Sequence, residues 1–453
     1  MNAVENERPT VLVLGGTAPL WATDGRDISE RSVRQFRDRG CRVVLTDTAA
    51  ALAACPDLVA AADEAYPLDF TDPAACAAWA VSYAERHPVH AVVGFREYAV
   101  IAVAETAAAL GLRGNDPVAV RRVRSKDACR EFLRAAGFAQ PELRLCSEPA
   151  EAAAFLAAQA GAPVIVKPRD RCNSEGVRLV HDPAALPAAF DQARDADGLV
   201  LVETFVEGAE YSVEGLFADG VPRALAVTAK KLSAGSFVES GHTMPAPLPD
   251  ALREDITTQV EAALTTLGLR TGPFHVECWT TPRGVVLGEV HVRQGGDGIH
   301  ALLEWCHPGL ELYGSWLDDL LGRPVSLPAG ANPARGAAVR FLVPPAGTVR
   351  EVSGWEEAAA HPAVLAATTT LAPGTEIRSG GSNSDRYGLL MIGTERPGEA
   401  GTLADQLLNS VRVSVAPPEA PLPAGAAPEA PLPAGAAHGT SGRDASQRTT
   451  PAR

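Results

Sequence analysis

The chain has 453 residues, 46% of them apolar, and a formal charge of −15. A chain of this length builds about two to four domains around real cores, and its acidity excludes general nucleic-acid binding, which needs a basic footprint to displace counterions from phosphates. No apolar run reaches the ~18 residues of a membrane span and the N-terminal MNAVENERPT is acidic and polar rather than a signal core, so a soluble, cytoplasmic protein without nucleic-acid or membrane partners is expected.

In chain order, VLVLGG (11–16) is a buried strand ending in a glycine turn, Ile28 to Arg39 is helical, and CRVVLTD (41–47) is a second strand. HAVVGF (90–95) is a third, ahead of an apolar helix from Tyr98 to Leu110. This βαβ alternation predicts an α/β unit over 1–118, a Rossmann-like parallel sheet with helices on both faces. The first turn, GGTAPL, lacks the full G-x-G-x-x-G, so Asp47 at the end of the second strand gives only weak support for a dinucleotide.

Ser125 to Ala136 reads as a helix closed by Gly137. Pro163 to Pro168 is a strand with Lys167 at its end, followed by the polar loop RDRCNSEG and the strand VRLV (177–180). A helix around Pro183 to Ala196 and the strand-to-connector segment LVLVETFVEG (199–208) complete a second unit, 119–203. Two strand pairs open a third, 204–415: Tyr211 to Phe217 with Arg223 to Thr228, and Phe274 to Trp279 with Val285 to Val292. From about residue 333 the short strands AAVRFLV and YGLLMIG suggest a smaller α+β unit. Beyond it PEAPLPAGAA occurs twice in tandem, at 418–427 and 428–437, and 416–453 is expected to be disordered because it cannot bury enough apolar surface to offset its ordering entropy.

Two compositional features bear on chemistry. The eight cysteines are scattered with no Cys-x-x-Cys pair, which predicts reduced, mostly buried thiols rather than zinc or redox chemistry. Of 40 basic residues only Lys126, Lys167, Lys230 and Lys231 are lysines. Where arginine supplies the surface charge, a retained lysine marks a place that needs a compact point charge, phosphate binding being one; leftover surface lysines are the plain alternative.

HVECWTTPRGVVLGEVHVR (275–293) holds two strands and a turn. Val290 and Val292 share one face, Glu289, His291 and Arg293 the other. With a three-residue loop at Pro282, Arg283 and Gly284, Glu277 lies opposite Glu289 and His275 opposite His291. Two like charges across a sheet need a shared proton or a cation, and a divalent metal, Mg²⁺ above all, satisfies both carboxylates while keeping positions for water and phosphate. A slip of one residue would instead turn one acid to solvent.

The carboxylate pair, a lysine at a helix start, a lysine at a strand end before a polar loop, and an acid in a connector together resemble the ATP-grasp superfamily, from about Val11 to Val415. The resemblance implies a nucleotide held between two α+β subdomains, 119–203 as the lid and 204–415 as its partner. It implies Lys126 and Lys167 on the phosphates, the connector with Glu203 and the backbone of Val206 at the adenine, Glu210 on the ribose, and Glu277 and Glu289 on the metal. Two departures stand out. The loop 169–176 offers only Gly176 where the family has several glycines, so that Arg169 and Arg171 come into question, and His291 occupies the place of the family's usual metal-binding Asn, either as a ligand or in contact with substrate.

TAKKLSAGSFVESGHTMPAPL (228–248), with FREY (95–98) and EVHVRQGGDGI (289–299), looks most like the L-amino acid ligase branch. That resemblance implies an ATP- and Mg²⁺-dependent carboxylate–amine ligase, with Mn²⁺ an alternative ion, acting through an acylphosphate on amino acids or analogues in specialised metabolism. Glu239 and His242 would lie near the substrates, Lys230 near the phosphates with Lys231 as a spare, and Arg293 at the reacting carboxyl. His242 is a candidate general base or a structural histidine, Glu97 a receiver of a substrate amino group or a helix-start acid, and Asp297 an orienting residue or the cap of the helix from Ile299 to Cys306. The branch also suggests a homodimer. The same machinery would serve a carboxylase or a glycinamide-type ligase, and a non-catalytic nucleotide-binding scaffold is the reading from another class.

Overall fold

The computed structural model describes residues 8–20, 22–169, 175–233, 235–378 and 382–416. The expectations for the repeat tail from 417 onward and for Arg171 fall outside these residues.

The N-terminal sheet has four parallel strands, β1 (Thr10–Leu14), β2 (Arg42–Asp47), β3 (Glu64–Pro67) and β4 (Ala91–Val93), in the order β3-β2-β1-β4. Alternation along β1 explains its double cover. Val11 and Val13 face a core shared with Phe36 of the helix Thr23–Asp38, and Leu12 and Leu14 face a second core with Phe70, Tyr83 and Ala102. The reading of the chain found three of these strands. It passed over β3 because EAYP is a short, half-exposed edge ending in proline, without the apolar run that marks its neighbours.

The next sheet has the order β5-β8-β6-β7, all neighbours antiparallel: β5 (Leu143–Cys146), β6 (Val164–Lys167), β7 (Arg178–Val180) and β8 (Val200–Thr204). Helices Pro149–Ala158 and Leu186–Ala193 cover one face, over Val164, Val166, Val200 and Val202. The opposite parity sends Ile165, Lys167 and Glu203 to the other face.

The largest sheet has eight strands. It contains β9 (Ala209–Ala218), β10 (Val221–Leu232), β11 (Glu239–Met244), β12 (Pro273–Thr281), β13 (Gly284–His291), β14 (Gly336–Leu342), β16 (Val364–Thr369) and β18 (Gly388–Thr394), in the order β13-β12-β9-β10-β11-β14-β18-β16. The remaining strands, β15 (Gly347–Ser353), β17 (Glu376–Ile377) and β19 (Arg412–Ala416), form a small sheet of their own. The stretch read as a separate α+β unit therefore gives three of its six strands, β14, β16 and β18, to the large sheet, through the β11–β14 ladder from Gly241↔Arg340 to Met244↔Ala337.

A polar seam docks the helix Thr23–Asp38 onto the large-sheet subdomain. Arg31 Nη1 lies 2.7 Å from Glu304 Oε2, Arg39 Nε lies 2.7 Å from Asp318 Oδ2, and His300 Nε2 lies 2.8 Å from Asp27 Oδ2. Among the described residues no helix is long and apolar enough to cross a membrane.

Candidate active site

A cavity of about 770 Å³ lies between the four-stranded lid sheet and the large sheet. Pro141, Ile165, Leu179 and Val206 give one part of it an apolar lining, Lys126, Lys167, Glu277, Glu289 and Lys230 a charged one, and Glu239, His242, Asp297 and Asn383 line a further part. Of the site residues expected from the sequence, Lys126, Lys167, Glu203, Val206, Glu210, Lys230, Glu239, His242, Glu277, Glu289, His291 and Arg293 line it.

The hairpin turns in a shorter loop than expected. Thr281 pairs with Gly284, so that two residues, not three, form the tip, and Gly284 takes φ +112. A bulge between Val276 and Cys278 absorbs the one-residue difference, and His275 still faces His291. Gly288 makes the bulge possible, because a Cβ there would lie 2.8 Å from the Glu277 carbonyl oxygen. Glu277 and Glu289 thus reach the same cavity.

Each acid is met by lysine. Lys167 Nζ lies 3.2 Å from Glu289 Oε1 and Lys126 Nζ lies 3.6 Å from Glu289 Oε2. Burial opposes the charge of Glu289, but the two lysines hold its carboxyl down at about 2. Lys230 Nζ lies 2.8 Å from Glu277, 2.7 Å from Glu210 and 2.9 Å from Glu239. Burial works against its charge, yet the three carboxylates push Lys230 well above the usual lysine range. One cation cannot compensate three acids equally: burial, with Glu277 and Glu239 adding to it, pushes Glu210 up, while Glu277, buried but facing Lys230 and His275, is held well below the carboxylate range.

Lys231 points elsewhere, to Asp405 Oδ1 at 2.8 Å. Alternation along β10 separates the two lysines, with Lys230 on the cavity face.

Two histidines are oriented by buried acids. His275 places Nδ1 2.9 Å from Glu214 Oε2 and Nε2 3.7 Å from Glu277, and although burial disfavours its charge, Glu214 and Glu277 push it up to about 9. His291 places Nδ1 3.0 Å from Glu97 Oε2 and Nε2 3.8 Å from Glu289 Oε2. Glu97 also pairs with Arg293 and, at 2.6 Å, with Arg124 Nη1. Burial would raise its carboxyl, but Arg293, His291 and Arg124 hold it well below the usual range. Its oxygens therefore anchor protein groups.

Asp297 does not cap the helix Ile299–Cys306, where Gly298 stands at the N-cap with φ 75 and no side-chain cap bond. The Gly298 N–H donates to Asp24 Oδ1 at 2.8 Å. Asp297 instead lies 3.0 Å from His242 Nε2 and accepts two hydrogen bonds of 2.6 Å from Arg386.

The carboxylates of Glu277 and Glu289 are hard oxygen donors on one cavity wall, with the imidazole of His291 beside them, a donor set that suits a divalent cation. A different set, Glu239, His242 and Asp297, is the one triad of possible ligands among the described residues whose ligand atoms lie within 4.8 Å of one another. Arg386 occupies both carboxylate oxygens of Asp297, so no metal is assigned there.

Several residues of the site escaped the sequence reading. Arg130 is 2% exposed and lies 2.5 Å from Glu203, which also takes Lys167 at 2.9 Å. Its spacing of four from Lys126 along the helix Lys126–Ala135 was the available signal. Glu214, Asn383 and Arg386 carry no local motif.

Residues 160–300 match the family model of an ATP-grasp domain, and 37–114 that of an ATP-grasp N-terminal domain. The chain carries ATP-grasp domains. Residues 340–416 match the L-amino acid ligase C-terminal domain 2. An uncharacterized Sinorhizobium fredii protein, y4rH, is 30% identical over 313 residues, 68% of this chain and 64% of that one. The alanine–anticapsin ligase of Bacillus subtilis is 26% identical over 222 residues, 44% of this chain and 46% of that ligase. The chain thus spans less than two thirds of these curated relatives. Among solved structures, an L-amino acid ligase from Bacillus licheniformis superposes with a TM-score of 0.74 at 22% identity, over 90% of this chain and 99% of that one, and shares the fold.

Proposed function

We propose that this ATP-grasp protein is an ADP-forming carboxylate–amine ligase that joins amino acids or amino-acid-like substrates. The observation that carries the reading is the single cavity that runs from paired carboxylates and three lysines to Glu239, His242 and Arg293. ATP with a divalent ion, Mg²⁺ in this proposal, would supply the phosphoryl group that turns a substrate carboxylate into an acylphosphate.

Lys126, Lys167 and Lys230 would neutralise phosphate oxygens, Ile165, Leu179 and the backbone of Val206 would hold the base beside Glu203, and Glu210 would hold the ribose. Glu277, Glu289 and His291 would hold the ion. Arg293, anchored by Glu97, would stabilise the oxyanion that develops when the amine adds to the acyl carbon. Glu239 and His242 would meet the amine. The lid sheet would exclude the water that otherwise hydrolyses an activated acyl group. A cytoplasmic location, a place in specialised metabolism and a homodimer complete the proposal; the L-amino acid ligase C-terminal match and the alanine–anticapsin relative support it.

The test is incubation with Mg-ATP and pools of amino acids, following ADP, phosphate and new masses. ADP release with a new amide from a pair of amino acids supports the ligase. Turnover that depends on bicarbonate, or nucleotide binding without turnover in any pool, overturns it.

A further inference from the structure

The loop that leaves β13, residues 292–298, brings Arg293 and Asp297 to the cavity. The N-terminal domain holds it at three points. Glu97 pairs with Arg293, the Phe95 carbonyl accepts from Gln294 Nε2 at 3.0 Å, and Asp24 Oδ1 accepts from the Gly298 N–H at 2.8 Å. The third point lies next to Asp297.

Gly296 to Ile299 form a type I′ turn: the Ile299 N–H donates to the Gly296 carbonyl at 3.0 Å, and both central residues have positive φ, Asp297 at +60 and Gly298 at +75. Asp-Gly is a favoured pair for this turn, yet a residue with a Cβ keeps the left-handed conformation only where something holds it. The turn's own bond leaves the N–H of the buried Gly298 without an acceptor inside the turn, and a buried N–H needs one. Asp24 supplies it. While its Oδ1 takes the N–H, its Oδ2 lies 3.9 Å from where a Cβ on Gly296 would stand, so one carboxylate backs both glycines that flank Asp297. Burial pushes the Asp24 carboxyl up, His300 opposes that, and Asp297 adds to it. The turn in turn fixes where the Asp297 side chain stands: Oδ2 lies 3.0 Å from His242 Nε2, and the two oxygens accept from Arg386 at 2.6 Å each. A slack turn would move that carboxylate and the wall it forms with Glu239 and His242.

We propose that Asp24, in the N-terminal domain, is a positioning residue: its hydrogen bond to the Gly298 N–H seats the turn that builds the amine-substrate end of the cavity, the wall of Asp297, Glu239 and His242. The inference rests on the ligase reading. Asp24 acts through the backbone of the turn and touches neither nucleotide nor substrate, so its loss falls on use of the amine and spares ATP.

Two measurements test it. In ¹⁵N-labelled protein the Gly298 N–H is expected to exchange slowly with solvent, and its signal to shift in Asp24→Ala but hold in Asp24→Asn, whose side-chain oxygen still accepts. In ligation of the amino-acid pair that the wild type joins, Asp24→Ala is expected to lower kcat/KM for the amine-supplying partner at least about 5-fold, on the order of one hydrogen bond. The KM for ATP should stay nearly unchanged, and Asp24→Asn should restore most of the loss. Asp27→Asn is the control, one turn along the same helix and bonded to His300 instead of the turn. Its Gly298 signal and kcat/KM should match the wild type. An equal loss in Asp27→Asn, a Gly298 signal unmoved by Asp24→Ala, or a moved signal with kcat/KM unchanged each overturns the proposal. Should Asp24→Ala fold poorly, the wild type decides: a Gly298 N–H that exchanges as fast as in an open turn overturns it. Failure of the ligase reading shows separately, as no ligation product from the wild type while the Gly298 signal still reports the hydrogen bond.

Discussion

Oε2 of Glu97, at the end of the N-terminal parallel sheet, lies 3.0 Å from Nδ1 of His291, on the hairpin strand that carries Glu289. The two are 194 residues apart in sequence, and Arg293 joins the same carboxylate. The N-terminal domain thereby orients an imidazole and a guanidinium of the large sheet. Removing one partner of a buried ion pair costs about 3–5 kcal/mol because the other is left uncompensated. Glu97→Ala should therefore lose stability on that order in chemical denaturation, Glu97→Gln less. Both should lose turnover, since Arg293 would be released; unchanged turnover in Glu97→Gln would show that Arg293 holds its place without the charge.

Glu289→Gln tests the ion site. The wild-type carboxylate faces Lys126 and Lys167, and an amide of the same shape leaves the packing in place. The expected outcome is a folded protein with turnover abolished and Mn²⁺-ADP affinity reduced in calorimetry. Near wild-type values would remove Glu289 from the ion's ligands.

Lys230→Met leaves Glu210, Glu239 and Glu277 around an apolar side chain. The wild-type ammonium is 5% exposed and serves all three acids. A loss of at least about 3 kcal/mol at neutral pH is expected from the stranded charges. The sign of its pH dependence follows from Glu210, already pushed up by burial and by its neighbouring acids. A raised carboxyl contributes stability below its unfolded pKa and loses it as pH rises. The deficit relative to wild type should shrink in urea denaturation as pH falls from about 8 to about 5; a deficit independent of pH would mean the three acids do not feel one another.

Three strands of the parallel sheet, the lid strands β6 to β8 and the acid hairpin were legible because each is a local pattern: period-2 apolar runs, βαβ alternation, and lysines left in a chain that otherwise uses arginine. The pairing of His275 with His291 survived a wrong loop length only because the bulge at Gly288 restored the register. Arg386 and Asn383 were not legible, since their partners lie 89 and 144 residues away and NSDR has no period or motif. β11 was quoted for its Glu-x-x-His but not read as a strand, because ESGHTM has small and polar residues whose β conformation is supplied by ladders to β10 and β14.

Asp27 gives an acid-limb prediction for the domain seam. Burial would raise its carboxyl, but the hydrogen bond and charge of His300, with Arg31, hold it at about 2. That lies below an unfolded value of ~3.9, so the contribution is present above the unfolded pKa and is lost as pH falls through about 2. The side chain is 40% exposed, and screening limits the effect to about 1 kcal/mol. Asp27→Asn should be less stable at neutral pH by that amount and should show a flatter loss of stability between about pH 4 and pH 2. An acid limb parallel to wild type would mean the seam does not depend on this charge.

Gly288→Ala separates the placement of the acids from the stability of the hairpin. A Cβ at 288 would lie 2.8 Å from the Glu277 carbonyl oxygen and 3.0 Å from the Glu277 Cβ, so backbone must give way in the middle of the β12–β13 ladder. At the hairpin tip the situation is reversed: Gly284 has φ +112, which strains any other residue, but nothing lies within 4 Å of its added Cβ. Each substitution should cost about 1–3 kcal/mol, by overpacking in one case and backbone strain in the other. Their functional costs should differ. Gly284→Ala should keep turnover and Mn²⁺-ADP affinity, because the bulge stays in register. Gly288→Ala should lose both by more than its stability change accounts for, because it separates Glu277 from Glu289. Equal functional losses in the two variants would mean that hairpin stability, and not the spacing of the two carboxylates, sets ion binding.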